Sequence, residues 1–257
     1  MRGSPESYAS AYQALLESLC CAFQSLQIPA CRRLLGPLVP GATLTQGARV
    51  PGTSYELDPA MAAFNIGTMI GWSGCRAYPA DKLAAILPVA DYLARRAHNE
   101  ARAPLCMRDV LAAMIEAQQI RHDLAAAAVV TRLLGGSRAQ MATALCIDRY
   151  PAAGSSAGRW AAGAAAAHAV RCAFVAMNIE PTDAATLPGS AAPVPADDVA
   201  EARGGDGGAD PIDAFADGVA GHFPVRQAAL IRARIADRAV AIAMPVHEFI
   251  ALLVNNG

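Results

Sequence analysis

Residues 161–177 read AAGAAAAHAVRCAFVAM, and the fold turns on how that stretch is read. By length alone it comes close to a membrane span, which takes about 18 or more apolar residues. His168 and Arg171 interrupt the run, however, and alanine is barely hydrophobic. Alanine is the best helix former and lets neighbours approach closely, so a helix buried among other helices is predicted from Arg159 to Met177. The composition points the same way. Hydrophobic residues make up 54% of the chain, much of it alanine, against 5% aromatics. Strand-forming runs of Val, Ile, Thr and aromatics are scarce. The expected fold class is all-α, an irregular helical bundle.

At the start of the chain, Ser4-Pro5 predicts a helix, with serine as cap and proline in the first turn. Tyr8, Tyr12, Leu15, Leu16, Leu19, Phe23 and Leu26 follow at helical spacing, and Pro29 ends the run. Residues 29–60 hold Pro37, Pro40, Gly41, Gly47, Pro51 and Gly52, which predicts an irregular connection. Asp58-Pro59 opens a second helix, and Asp81 is placed to cap a third that carries Pro88 inside it. Further helices are predicted over Met107–His122, with Cys106 a poor cap, and over Leu124–Leu134, stopped by Gly135-Gly136. Ser137 and Gln140 form a capping box for the next helix, and a loop follows from Pro151 to Gly158. Residues 181–218 are dominated by Pro, Gly, Ala and Asp and read as a disordered linker. Two helices close the chain, over Val225–Ala241 and from Pro245 onward. The expected organisation is a helical domain over 1–180, the linker over 181–218, and C-terminal helices over 219–257.

The net charge of −1 supplies no basic field to gather nucleic acid or an anionic membrane surface. Seven cysteines are an odd number and contain no CxxC pair. Neither a disulfide framework nor a zinc site is expected; reduced core thiols in a cytoplasmic protein fit better. Met1-Arg2-Gly3-Ser4 leads into a helical pattern without the apolar core of a secretory leader.

Several blocks resemble the MmgE/PrpD family. The longest runs from Pro29-Ala30-Cys31-Arg32-Arg33-Leu34-Leu35-Gly36-Pro37 through Val50-Pro51-Gly52-Thr53 and Leu57-Asp58-Pro59 to Phe64-Asn65-Ile66-Gly67. Trp160-Ala161-Ala162-Gly163 looks like the family's WAAG segment, and Phe223 to Phe249 resembles its C-terminus. The resemblance implies a large helical domain paired with a smaller α/β domain, and the 181–218 segment stands where that second domain should be. It implies dehydration of 2-methylcitrate to 2-methylaconitate in propionate catabolism, without metal or organic cofactor. It also implies a small-molecule tricarboxylate as ligand and a homodimer. Decarboxylation of a related tricarboxylate is a variant that these blocks resemble less closely.

Such a dehydration needs a base beside a carboxylate, an acid for the departing hydroxyl, and cations for three carboxylates. The expected pocket is depleted here. After Trp72 the family's longer acidic and histidine-bearing segment is shortened to Ser73–Asp81, with Tyr78 where a histidine is expected. Gly158 occupies the position of an expected lysine, with Arg159 one step away. Asp81 and Tyr78 are the catalytic candidates and Arg159 the substrate-binding candidate. Each has a structural alternative: a helix cap for Asp81, an exposed loop tyrosine for Tyr78, a solvated helix start for Arg159. His122 beside Asp123 resembles an oriented base or a cation at a helix end. His168 reads as a packed core histidine, His222 and His247 show no partners, and Cys20-Cys21 reads as structural. A non-catalytic remnant or helical interaction protein is the competing functional reading.

Overall fold

Ser4 caps the first helix, its hydroxyl accepting from the Ser7 amide at 3.2 Å, and Pro5 fills the first position. The structure, a computed structural model, describes residues 4–120, 125–148, 158–179 and 211–255. Helix α1 (Pro5–Ser25) buries Tyr12, Leu15, Leu16, Leu19 and Phe23 along the face that their spacing predicts. A short α2 (Pro29–Arg32) opens the irregular connection, so Pro29 starts a helix rather than merely ending one. Two residue pairs, β1 (Ala48–Arg49) and β2 (Glu56–Leu57), form a small antiparallel ribbon with Ala48 opposite Leu57.

The central helices are α3 (Pro59–Trp72), α4 (Ala80–Asn99), α5 (Met107–Gln119), α6 (Ala125–Leu133), α7 (Arg138–Asp148) and α8 (Ala161–Asn178). The alanine-rich α8 packs most extensively against α3 and also touches α4, α6 and α7. Glycines line the α3–α8 contact, and at two of them the backbones come closest. A Cβ on Gly67 would lie 2.7 Å from the Gly163 Cα, and one on Gly163 only 2.3 Å from the Phe64 carbonyl. Where alanine or glycine faces glycine, helix backbones approach closely; larger side chains would hold them apart. Helix α8 is therefore a core element, and no helix among the described residues is long and apolar enough to cross a membrane.

Local sequence signals set most helix ends. Asp58 accepts from the Ala60 and Met61 amides, both at 3.0 Å. Gly135 takes φ +82°, the left-handed conformation of a glycine stop, and the Gly136 amide returns to the Thr131 carbonyl at 2.9 Å. Ser137 and Gln140 exchange their reciprocal capping bonds at 2.9 and 3.2 Å. At α5 the weak cap Cys106 is rescued by Asp109, whose carboxylate accepts from the Cys106 amide at 2.9 Å.

Three expectations need correction. Asp81 is not the cap of α4: Pro79 occupies that position and Asp81 sits in the first turn, where its charge suits the helix dipole. The segment over 181–218 contains the start of a helix, α9 (Pro211–His222), while 181–210 lie outside the described residues. Composition hid the spacing of Ile212, Phe215 and Val219, which supplies one apolar stripe against α1. The Val225–Ala241 run divides into α10 (Val225–Ala236) and α11 (Arg238–Ala243), because Asp237 restarts the helix by accepting from the Ala239 and Val240 amides.

The last helix, α12 (Val246–Leu252), packs on α4 and α5. Its approach is stitched to the approach of α5: the Met107 amide donates to the Met244 carbonyl and the Val246 amide to the Leu105 carbonyl, both at 2.9 Å. Residues far apart in sequence thus share one core.

Candidate functional site

The candidates flank the turn between α3 and α4. Tyr78, expected in an exposed loop, is instead 2% exposed, and its hydroxyl donates to the Met114 carbonyl at 2.7 Å. Burial, with the Asp81 charge second, pushes the Tyr78 phenol well above its ordinary range. It therefore holds its proton firmly and spends it on a backbone carbonyl. Asp81 lies half-buried one helical turn away.

Lys82 belongs beside them, although it is not among the candidates that the sequence suggests. It is 3% exposed and its ammonium donates to the Ala117 carbonyl at 2.8 Å. Ala117 lies in the last turn of α5, where carbonyls lack intrahelical partners and the helix dipole is negative. A signal for it exists in the chain: Lys82, Ile86 and Val89 share one face of α4, and a lysine within an apolar stripe demands a buried acceptor. Tyr78 and Lys82 together fasten α4 to the C-terminal half of α5.

Arg159 stands at the other side of the turn, exposed, just ahead of α8. One guanidinium nitrogen donates to the Trp72 carbonyl at 3.2 Å, and its central carbon lies 5.9 Å from the Trp72 ring centroid. It thereby closes the C-terminal end of α3 by a carbonyl bond and a cation–π contact. Among the described residues no hydrogen bond or ion pair joins Arg159 to Asp81 or Tyr78. At Gly158, the position of the expected lysine, a Cβ would lie 2.7 Å from the Trp160 indole nitrogen.

Two hollows lie elsewhere. One of about 510 Å³ is lined by Ile212, Asp213, Phe215, Asp217 and Arg232. The other, about 320 Å³, includes Arg49, Tyr55, Glu56, Arg95 and Asn255. Its two arginines are already paired, Arg49 with the buried Asp91 at 2.6 Å and Arg95 with Glu56 at 2.9 Å. Neither hollow is lined by Asp81, Tyr78 or Arg159.

The remaining histidines have partners that sequence could not show. His222 stacks on Phe23 with centroids 5.6 Å apart, and its Nε2 lies 2.7 Å from the Gly52 carbonyl oxygen. His247 lies against His98 at 4.7 Å between centroids. Burial, with the His98 ring second, holds His247 below the ordinary histidine range. His168 is three-quarters buried on α8 beside Asp148 and Cys172. His122 and Asp123 lie outside the described residues. All seven cysteines are free thiols, and Cys20 donates to the Ala214 carbonyl at 3.4 Å across the α1–α9 contact.

The sequence that builds this helical scaffold has known relatives. The sequence profile described as the MmgE/PrpD N-terminal domain matches residues 2–189, and the chain belongs to that family. It is 38% identical over 214 residues to a 2-methylcitrate dehydratase of Escherichia coli, covering 69% of this chain and 44% of that protein. A 2-methylcitrate dehydratase of Cupriavidus necator is 36% identical over 211 residues, covering 68% and 44%. A mitochondrial 2-methylcitrate dehydratase of Yarrowia lipolytica is 34% identical over 203 residues, covering 64% and 39%. The chain thus spans less than half the length of these relatives.

Proposed function

We propose that this chain is the helical-domain scaffold of a 2-methylcitrate dehydratase and has little or none of that activity by itself. The family reaction would remove a proton beside a carboxylate and expel the hydroxyl as water, giving 2-methylaconitate in propionate catabolism. For that reaction Asp81 would have to serve as base, Tyr78 as proton donor and Arg159 as carboxylate ligand. The carrying observation is that Tyr78 is buried with its hydroxyl committed to the Met114 carbonyl. A donor so placed reaches no substrate unless α4 and α5 separate. Arg159 offers one exposed cation where a tricarboxylate calls for several.

The test is ultraviolet detection of the conjugated double bond formed from 2-methylcitrate by monodisperse, helical protein. The expected result is no turnover above buffer. Turnover that disappears in Asp81→Ala or Arg159→Ala would overturn the proposal. A second reading, self-association of the chain, has one observation behind it. Ile28, Leu34, Leu38, Val39 and Leu44 are all exposed within one short stretch, Leu38 at 86%. Clustered exposed apolar side chains favour contact with another surface. A monomer by light scattering at working concentration would remove that reading.

A further inference from the structure

Asp148 ends α7, while His168 and Cys172 stand one turn apart on α8. Residues four apart lie on the same helix face, the spacing with which paired histidines hold zinc in helical enzymes. Here the third group comes from the neighbouring helix. The His168 Nε2 lies 3.5 Å from the Asp148 Oδ1 and 3.5 Å from the Cys172 Sγ, and the Sγ lies 4.0 Å from the Oδ1. The three donor atoms therefore form a small triangle within 4.8 Å.

Those separations match a specific geometry. Zinc bonds of about 2.0–2.3 Å at tetrahedral angles place neighbouring donor atoms about 3.3–3.7 Å apart. The two edges at His168 already fall in that range, and the sulfur–oxygen edge need close by only about 0.5 Å. The alternative, a nucleophilic thiol activated through a histidine–carboxylate relay, requires the two partners to use opposite ring nitrogens. Here thiol and carboxylate meet the same nitrogen, Nε2. Both groups converge on one point, as ligands of a single ion do.

We propose that Asp148, His168 and Cys172 form a binding site for a zinc-like divalent cation. Thiolate, imidazole and carboxylate together suit a borderline cation and not magnesium or calcium, which prefer oxygen. Three protein donors leave one tetrahedral position for water or a small anion. The carboxylate side chain is 9% and the imidazole 25% exposed, so the site is sheltered with an entrance on the histidine side. Arg171, adjacent to Cys172, is a positive charge that opposes the cation. Bound metal would lock α7 to α8. It requires no part in dehydration chemistry and stands or falls apart from it.

The experiment uses the whole chain, purified with chelator, reduced, and titrated with zinc by calorimetry and with cobalt by absorbance. The expected result is one ion per chain, a raised melting temperature, and a sulfur-to-cobalt charge-transfer band in the near ultraviolet. Cys172→Ser should abolish the band, and His168→Gln and Asp148→Asn, which remove direct ligands, should each weaken binding by at least the roughly 10–100-fold that loss of an outer-shell partner costs. Cys146→Ser, which changes a thiol outside the triangle, should leave binding intact. Each variant's helicity is checked first by circular dichroism. Failure of the folded parent to bind zinc or cobalt would overturn the proposal, as would a band that persists in Cys172→Ser or affinity unchanged in His168→Gln.

Discussion

Replacing Gly163 by alanine tests the close approach of α3 and α8. The added Cβ would lie 2.3 Å from the Phe64 carbonyl oxygen, 2.4 Å from the Thr68 Oγ1 and 2.9 Å from the Thr68 amide nitrogen. Two of these are backbone atoms and the third belongs to a stiff β-branched residue, so no flexible side chain can yield. Restoring ordinary contact means opening the α3–α8 interface by about 1 Å, which forfeits dispersion contacts on both sides of the gap. Overpacking of this kind costs about 1–3 kcal/mol, occasionally more. Alanine's better helix propensity returns about 1 kcal/mol. Because backbone atoms make the clash, the cost falls toward the upper end, and a net loss of about 2 kcal/mol is expected. For a chain of this size that lowers the melting temperature by about 4–8 °C. Thermal denaturation followed by far-ultraviolet circular dichroism measures it. Gly221→Ala is the control, since its added Cβ meets nothing within 4 Å and should be neutral or mildly stabilising. A Gly163→Ala protein as stable as its parent would show that glycine does not set the helix separation.

Asp91 should be a second point of sensitivity. Its buried carboxylate accepts from the Arg49 amide at 2.9 Å and from the Arg49 guanidinium at 3.2 and 2.6 Å, tying β1 to α4. Asp91→Ala leaves those donors unmatched and should cost about 3–5 kcal/mol in urea denaturation; a loss under about 1 kcal/mol would show that water replaces the carboxylate freely. His247 should make stability fall with acid. Its folded-state affinity for a proton is depressed, so the unfolded chain binds the proton better. The stabilisation is present above the ordinary histidine value of 6.5 and is lost as pH falls through and below it. The groups facing it are His98, Glu248, Arg49 and Asp91. His247→Gln should flatten the slope of stability against pH between about 7 and 5, and an unchanged slope would assign the effect elsewhere.

Most helix ends at which a side chain acts on its own backbone were legible, although the Asp237 cap was hidden inside a continuous helical pattern. Ser4, Asp58, Ser137 with Gln140, and Gly135 all function as their positions predict. Asp81 misled because an acidic residue suits either the cap or the first turn, and only backbone conformation separates the two. Helix α9 was hidden because a Pro- and Gly-rich neighbourhood masked three correctly spaced apolar residues. Tyr78 and Lys82 were illegible for another reason. Their acceptors, Met114 and Ala117, are more than thirty residues away on a different helix.

The order of residues along the chain therefore dictates local features: an all-α chain, the ends of most helices, and the apolar face of each. Alanine in α8 also required helix against helix, since so small a side chain cannot fill the space left by distant neighbours. Packing settled what those faces meet. It placed the Gly163 backbone against Phe64 and Thr68, buried the Tyr78 hydroxyl on α5, and set Asp148 beside His168 and Cys172. The i to i+4 spacing of His168 and Cys172 was visible in the chain, but neither disulfide nor zinc spacing signals reach across two helices. Backbone hydrogen bonding and capping act over one helical turn. Convergence of side chains depends on how whole helices pack, and that is fixed only when the core closes.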